Sequence, residues 1–180
     1  MMTLRDETGA ALTYIKMALG WDPAQRRVFG GRGRNIDLNA AALLFVGGDI
    51  VDVVYSEQLT SRDGSVRHHG DSLTGEGKGD NEVITVDLTR LSTRVTTVLF
   101  LVTCYTGQAF DQIDNAFCRL VDGVRGTELA RYDLIDSEHS GFVMGRLFPV
   151  DGMWRFEALG VPIHAEHPVE AVGQVTRFLA

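Results

Sequence analysis

Between His68 and Glu82 the chain reads HHGDSLTGEGKGDNE, a stretch rich in oxygen donors and glycine. Asp71, Asp80 and Glu82 offer carboxylates, and Ser72 and Thr74 offer hydroxyls. Gly75, Gly77 and Gly79 allow the backbone to bend tightly enough to turn carbonyls inward. Hard oxygen donors in this number suit a hard cation, since Ca²⁺ takes about six to eight oxygens at roughly 2.3–2.6 Å. More carboxylates could converge on the same place. Asp22 follows Gly20-Trp21, and Asp63 sits in the turn sequence SRDGS. Asp37 and Asn39 are two residues apart and so share one side of an extended segment. A solvated polar hairpin is the competing reading of this composition.

Two familiar ion-binding motifs are excluded. Asp71 and Glu82 stand where the first and twelfth residues of an EF-hand loop would. Leu73 and Gly75 then occupy ligand positions, Glu76 takes the place of the required glycine, and the flanks are strand-like. GEGKGD lacks the Gly-Lys-Ser/Thr ending of a phosphate loop, and its acidity would repel phosphate. His68 and His69 read as turn or surface residues, and soft-metal binding would want more imidazole or thiolate. His164 and His167 in HAEH are too few to hold a metal. Four arginines in RRVFGGRGR, residues 26–34, could contact RNA or an anionic partner, but their place between acidic segments favours a solvated basic loop that offsets those flanks.

Catalysis finds little support in the sequence. There is no Gly-x-Ser-x-Gly, and neither Cys104 nor Cys118 has a neighbouring histidine. The alternative to a binding protein is a metal-dependent enzyme acting on phosphoesters or nucleotides, with Glu76 or His69 as base to metal-activated water. No catalytic residue is assigned.

These side chains must be positioned by short β-type runs. Residues 12–21, 41–46, 50–55, 83–88, 95–105, 116–122, 128–134, 142–150 and 153–160 read as strands. Gly47-Gly48-Asp49 and Asp151-Gly152 mark hairpin turns. Two segments look helical: residues 110–117, with Phe110, Ile113 and Phe117 at helical spacing and a single turn entering a strand as the alternative, and the C-terminal stretch from His167 with Pro168 near its start. Val169, Val172, Thr176 and Leu179 are its expected apolar side. The expectation is an all-β protein, mainly an antiparallel β-sandwich with one or two short helices, forming one domain over residues 1–180.

The 180 residues are 44% hydrophobic and 23% charged, ordinary globular values. Two cysteines make no disulfide framework and read as buried, reduced thiols. The charged N-terminus has no signal-peptide core, so a cytoplasmic location is expected. The net charge of −7 argues against nucleic-acid partners. From Asp49 to Asp87, nine acids face three bases, a net of −6, so the negative charge is concentrated around the glycine-rich stretch.

LGWDP, IDLNAAALLF, YSEQLTSRDGSVRHHGDSLTGEGKGDNEVITVDLTRL, AFDQIDNAFCRLVD, ELARYDL and WRFEALG, in order from Leu19 to Gly160, resemble the TerD family of bacterial tellurium-resistance and general-stress proteins. The resemblance implies a β-sandwich that binds one or two Ca²⁺ ions through acidic loops, with no established enzymatic activity. It implies other tellurium-resistance and stress proteins as partners, and peripheral association with an assembly near the membrane. The family's Asp-Asn-x-Thr-Gly falls on Asp71 to Gly75, its Gly-Asp-Asp-Glu on Gly79 to Glu82, its Gly-Trp-Asp on Gly20 to Asp22 and its Asp-Leu-Asp on Asp37 to Asn39. Ser72, Asn81 and Asn39 depart from that pattern, and Lys78 adds a positive charge. Two negative charges are lost, which implies weaker Ca²⁺ binding than in members with the full acidic set.

Overall fold

The longest apolar run contains β7 (Thr97–Cys104), and every residue of it is buried. One-sided burial would have produced alternation; β7 is instead covered on both faces. Val98, Phe100, Val102 and Cys104 join the main core between two sheets, whereas Leu99 and Leu101 join a second core on the outer side. β3 (Leu38–Val46) behaves alike, with Ala40, Ala42 and Leu44 inward and Ala41, Leu43 and Phe45 outward. The outer cover is α1 (Pro168–Val175), which brings Ala171 and Val175 onto that face.

The computed structural model describes residues 1–22, 37–70, 80–107, 109–134 and 138–179. β3 and β7 lie inside a six-stranded sheet with β1 (Met2–Thr3), β11 (Met153–Ile163), β10 (Gly141–Val150) and β4 (Asp49–Val54), in the order β1-β11-β10-β7-β3-β4. A five-stranded sheet faces it: β5 (Val66–His68), β6 (Glu82–Asp87), β2 (Tyr14–Gly20), β8 (Phe117–Asp122) and β9 (Glu128–Asp133), in the order β5-β6-β2-β8-β9. Both sheets are antiparallel throughout. The expected β-sandwich with a C-terminal helix is what the chain forms. The Asp151-Gly152 turn has both residues at positive φ, 52° and 76°, the pattern of a two-residue type I′ hairpin.

Two details differ from the sequence reading, and between its two readings of residues 110–117 the single turn is the one found. β1 and β5 were not anticipated, because two or three residues carry no measurable period. The stretch at 110–117 is a single 3-10 turn, Phe110–Gln112, and the chain enters β8 after Asn115 at φ 53°. In α1 the packed face is Pro168, Ala171 and Val175, whereas Val169 is 59% exposed. Small Ala171 lets the helix approach the sheet, and Val169 lies off that line. The helix stops at Val175 and a 3-10 turn, Thr176–Phe178, follows. Arg146 Nη1 donates to the Phe178 carbonyl at 2.5 Å, and its Nε to Glu157 at 2.6 Å, which ties that turn to the sheet.

Both cysteines are buried and unpaired by disulfide, as expected, and burial pushes the Cys118 thiol far up. Among the described residues no helix is long and apolar enough to cross a membrane.

Candidate functional site

The antiparallel register decides which candidate ligands can meet. β2 ends where β6 begins, with Leu19 opposite Glu82, and β3 begins where β7 ends, with Leu38 opposite Cys104. Asp22, Asp37, Asn39, Asp80 and Glu82 therefore all stand at one end of the sandwich, here the near end. The described residues that flank 23–36 and 71–79 lie at this end and include acids: Asp22 and Asp37, and Asp80 with Glu82 close behind. Asp71, Ser72, Thr74, Gly75 and Gly77 lie outside the described residues, as do Glu76, Lys78 and the arginines of residues 26–34.

Asp63 does not belong to this group. It precedes β5, whose Val66 pairs with Val86 at the finishing end of β6. The length of β6, roughly 17 Å at about 3.3 Å per residue, separates it from Glu82. Its Oδ1 accepts from Ser61 Oγ at 2.9 Å, Ser65 N at 2.9 Å and Ser65 Oγ at 2.6 Å. The expectation that Asp63 joins the others is corrected: it closes a turn at the far end.

Glu82 starts β6 on its inward face, in line with Ile84 and Val86 of the main core. It is 1% exposed and meets His68, also buried, with Oε1 to Nε2 at 2.9 Å. His68 Nδ1 accepts from the Gly70 backbone N–H at 3.1 Å, which leaves the proton on Nε2 to be donated to Glu82. Burial, and secondarily the neighbouring His69, lowers the His68 pKa to about 4, so this imidazole is neutral at pH 7. Both of its nitrogens are engaged, and it is a buried partner of Glu82 rather than the turn or surface residue its sequence context suggested. His69 Nε2 lies 2.8 Å from Thr85 Oγ1.

Asp80 is gripped by a guanidinium fork: Arg119 Nε donates to Oδ1 at 3.0 Å and Nη2 to Oδ2 at 2.7 Å. The hydrogen bond to Asp80 raises the Arg119 pKa. Asp22 Oδ2 accepts from Asn115 Nδ2 at 2.5 Å, and its backbone N–H donates to the Asp114 carbonyl at 2.9 Å. Asn81 links β2 to β6, its Oδ1 accepting from Trp21 N at 2.9 Å and its N–H donating to the Leu19 carbonyl at 2.8 Å. Asp37 is held through its backbone, which donates to Thr106 Oγ1 at 3.2 Å and accepts from Tyr105 N at 2.9 Å. Asn39 sits on β3 opposite Thr103, outward with Ala41 and Leu43, and is 4% exposed. Its Oδ1 and the Thr103 Oγ1 are buried with no hydrogen-bond partner among the described residues.

Sequence reasoning missed Arg119, His68 and Asn115 as the groups that fix these acids. Nothing local signals them, since the pairs are 39, 14 and 93 residues apart. The HAEH histidines go separate ways: His164 stacks on His139, centroids 4.4 Å apart, and His167 accepts the Val169 N–H to start α1.

Among the described residues, no three His, Cys, Asp or Glu side chains are close enough to hold a metal ion. The candidate ligands at the near end, Asp22, Asp37, Asn39, Asp80 and Glu82, offer oxygens, and among the described residues no donor reaches the buried Asn39 oxygen. That chemistry suits a hard cation and not a soft one.

A family model for the TerD domain matches residues 2–166. The chain belongs to the TerD family. Tellurium resistance protein TerZ of Serratia marcescens is 43% identical over 158 residues, covering 84% of this chain and 81% of that one. Stress response protein SCP2 of Bacillus subtilis (strain 168) is 34% identical over 166 residues, covering 84% of this chain and 83% of the relative. The crystal structure of a homologue of the telluride resistance protein TerD from Streptomyces coelicolor A3(2) is 23% identical, with a TM-score of 0.77. It covers 90% of this chain and 96% of that one, a likeness in fold. As a TerD-family chain the protein is of tellurium-resistance and stress-protein type.

Proposed function

We propose that this TerD-family protein is a Ca²⁺-binding module of the bacterial stress response, acting by binding partners rather than by turnover. The observation that carries the reading is the near end itself. Four acids and Asn39 stand at that end, at or beside the ends of β2, β3 and β6, and among the described residues no donor reaches the buried Asn39 oxygen. Asp22, Asp37, Asn39, Asp80 and Glu82 would hold one or two ions with oxygens from the glycine-rich segment, among them Asp71, Ser72, Thr74, Gly75 and Gly77. The ion would supply positive charge to an end of the molecule that carries an excess of carboxylate, relieving repulsion and ordering a surface. Other tellurium-resistance and stress proteins are the expected partners, in the cytoplasm or at the periphery of a membrane assembly.

The test is calorimetry on protein first stripped with chelator, paired with thermal melting. A ligand that binds only the folded state stabilises it by about 2.7 kcal/mol at a hundredfold excess over Kd. Ca²⁺ heat that saturates, a Tm raised by millimolar Ca²⁺, and loss of both in Asp71→Ala are expected. An unchanged Tm and no heat would overturn the reading.

A further inference from the structure

A second feature lies at the opposite, far end, between the sheets. The N-terminal segment, the stretch after β6 and the β10–β11 hairpin enclose a pocket of about 420 Å³. Its walls are the unfilled end of the main core: Leu4, Leu12, Leu88, Leu91 and Val95, each no more than 7% exposed, with Trp154 beside them. Pockets of this size and lining are the usual form of small-molecule sites. A cavity of about 150 Å³ with similar walls already admits benzene. At roughly 30 Å³ per water-sized group, this one admits about 14 heavy atoms.

The rim supplies a charge. Met153 lines the pocket, and Arg5 Nη2 is 2.9 Å from its sulfur, a weak acceptor. Arg5 also pairs through its backbone with Ala11, another lining residue. Among the described residues no carboxylate lies within ion-pair distance of Arg5. Asp6, next to it, is taken by Arg125 at 2.9 Å and by Thr8. Guanidinium donors therefore stand beside the mouth of an apolar chamber, with no acid among the described residues to use them.

We propose that this pocket binds a medium-chain acyl carboxylate, its chain among the leucines and its carboxylate on Arg5. The inference is independent of cation binding at the near end. Decanoate is the probe, titrated below its micellar range while tryptophan fluorescence is read. Trp154 lies in the pocket and Trp21, the other tryptophan, at the near end, so Trp154→Phe should abolish the signal. A saturable change is expected. Thr93→Phe, which adds bulk at an exposed lining position, should weaken binding by about tenfold or more. Arg5→Gln should weaken decanoate by about threefold, the scale of one exposed ion pair, and leave decanol unchanged. If Thr93→Phe does not give a cooperative melt, Ala11→Phe replaces it. The absence of a saturable signal would overturn the proposal, as would binding indifferent to the blocking variant. Equal effects of Arg5→Gln on decanoate and decanol would overturn the carboxylate assignment.

Discussion

The two ends of the sandwich hold the same kind of residue in opposite ways. At the far end Asp6, Asp63, Asp87 and Asp122 each close their own turn. Each Oδ1 accepts from the backbone N–H two residues on, at Thr8, Ser65, Thr89 and Val124. In the first three the same residue's hydroxyl adds a second bond. At the near end the partners are distant in sequence: Arg119 for Asp80, Asn115 for Asp22, His68 for Glu82. A turn-forming aspartate needs only its own loop, so it reports local structure. An acid fixed from another strand is placed by the whole fold, as a binding site requires.

Breaking the near end should cost most. Glu82→Ala leaves the buried His68 N–H without its acceptor, and a loss of about 3 kcal/mol is expected by urea denaturation. A loss under about 1 kcal/mol, the scale of a single exposed hydrogen bond, would erase the contrast between the ends.

Acidification should separate the ends by pH window. The folded His68 pKa lies near 4 against an ordinary 6.5, so the unfolded chain takes up the proton first. Its contribution is complete above pH 6.5 and is lost as pH falls toward about 4. The Thr8 hydroxyl bond lowers the Asp6 pKa, as the Thr89 hydroxyl bond lowers that of Asp87. At Asp63 burial acts upward, but the bonds from Ser65 and Ser61 outweigh it. These three contribute above their ordinary 3.8 and lose that contribution only below it. Melting across the pH range should show an upper loss that His68→Gln removes and a lower one that it leaves.

A far-end turn should cost less. Asp87→Ala removes bonds to Thr89 within an exposed turn, and about 1 kcal/mol is expected from the same denaturation curves. The smallest stability change belongs to Arg119→Gln, whose half-exposed ion pair contributes under about 1 kcal/mol. Its informative readout is calorimetric: freeing both Asp80 oxygens should tighten Ca²⁺ several-fold, whereas Asp63→Asn should leave Ca²⁺ affinity unchanged.

The sheets were readable because β3, β7 and β10 are long apolar runs broken by glycine turns, and a period needs length to show. β1 and β5 lack that length. The unbroken apolar run of β7 announced burial but not its cause, since only tertiary structure shows α1 covering the second face. The same limit applies at the near end. Oxygen-bearing residues are visible as residue types, and Asp37 and Asn39 as a spaced pair. That Asp63 faces away, or that Arg119 grips Asp80, depends on strand register and not on neighbours in sequence.

Asn81 separates two properties that usually travel together. Its side-chain oxygen clasps the Trp21 N–H and so joins β2 to β6. Aspartate has an equivalent oxygen in the same place, so the clasp is indifferent to which of the two residues evolution installs. Net charge at the near end can drift by one unit while the strands stay fastened. If the near end holds the proposed cation, this position is a dial that would adjust affinity without retuning the scaffold.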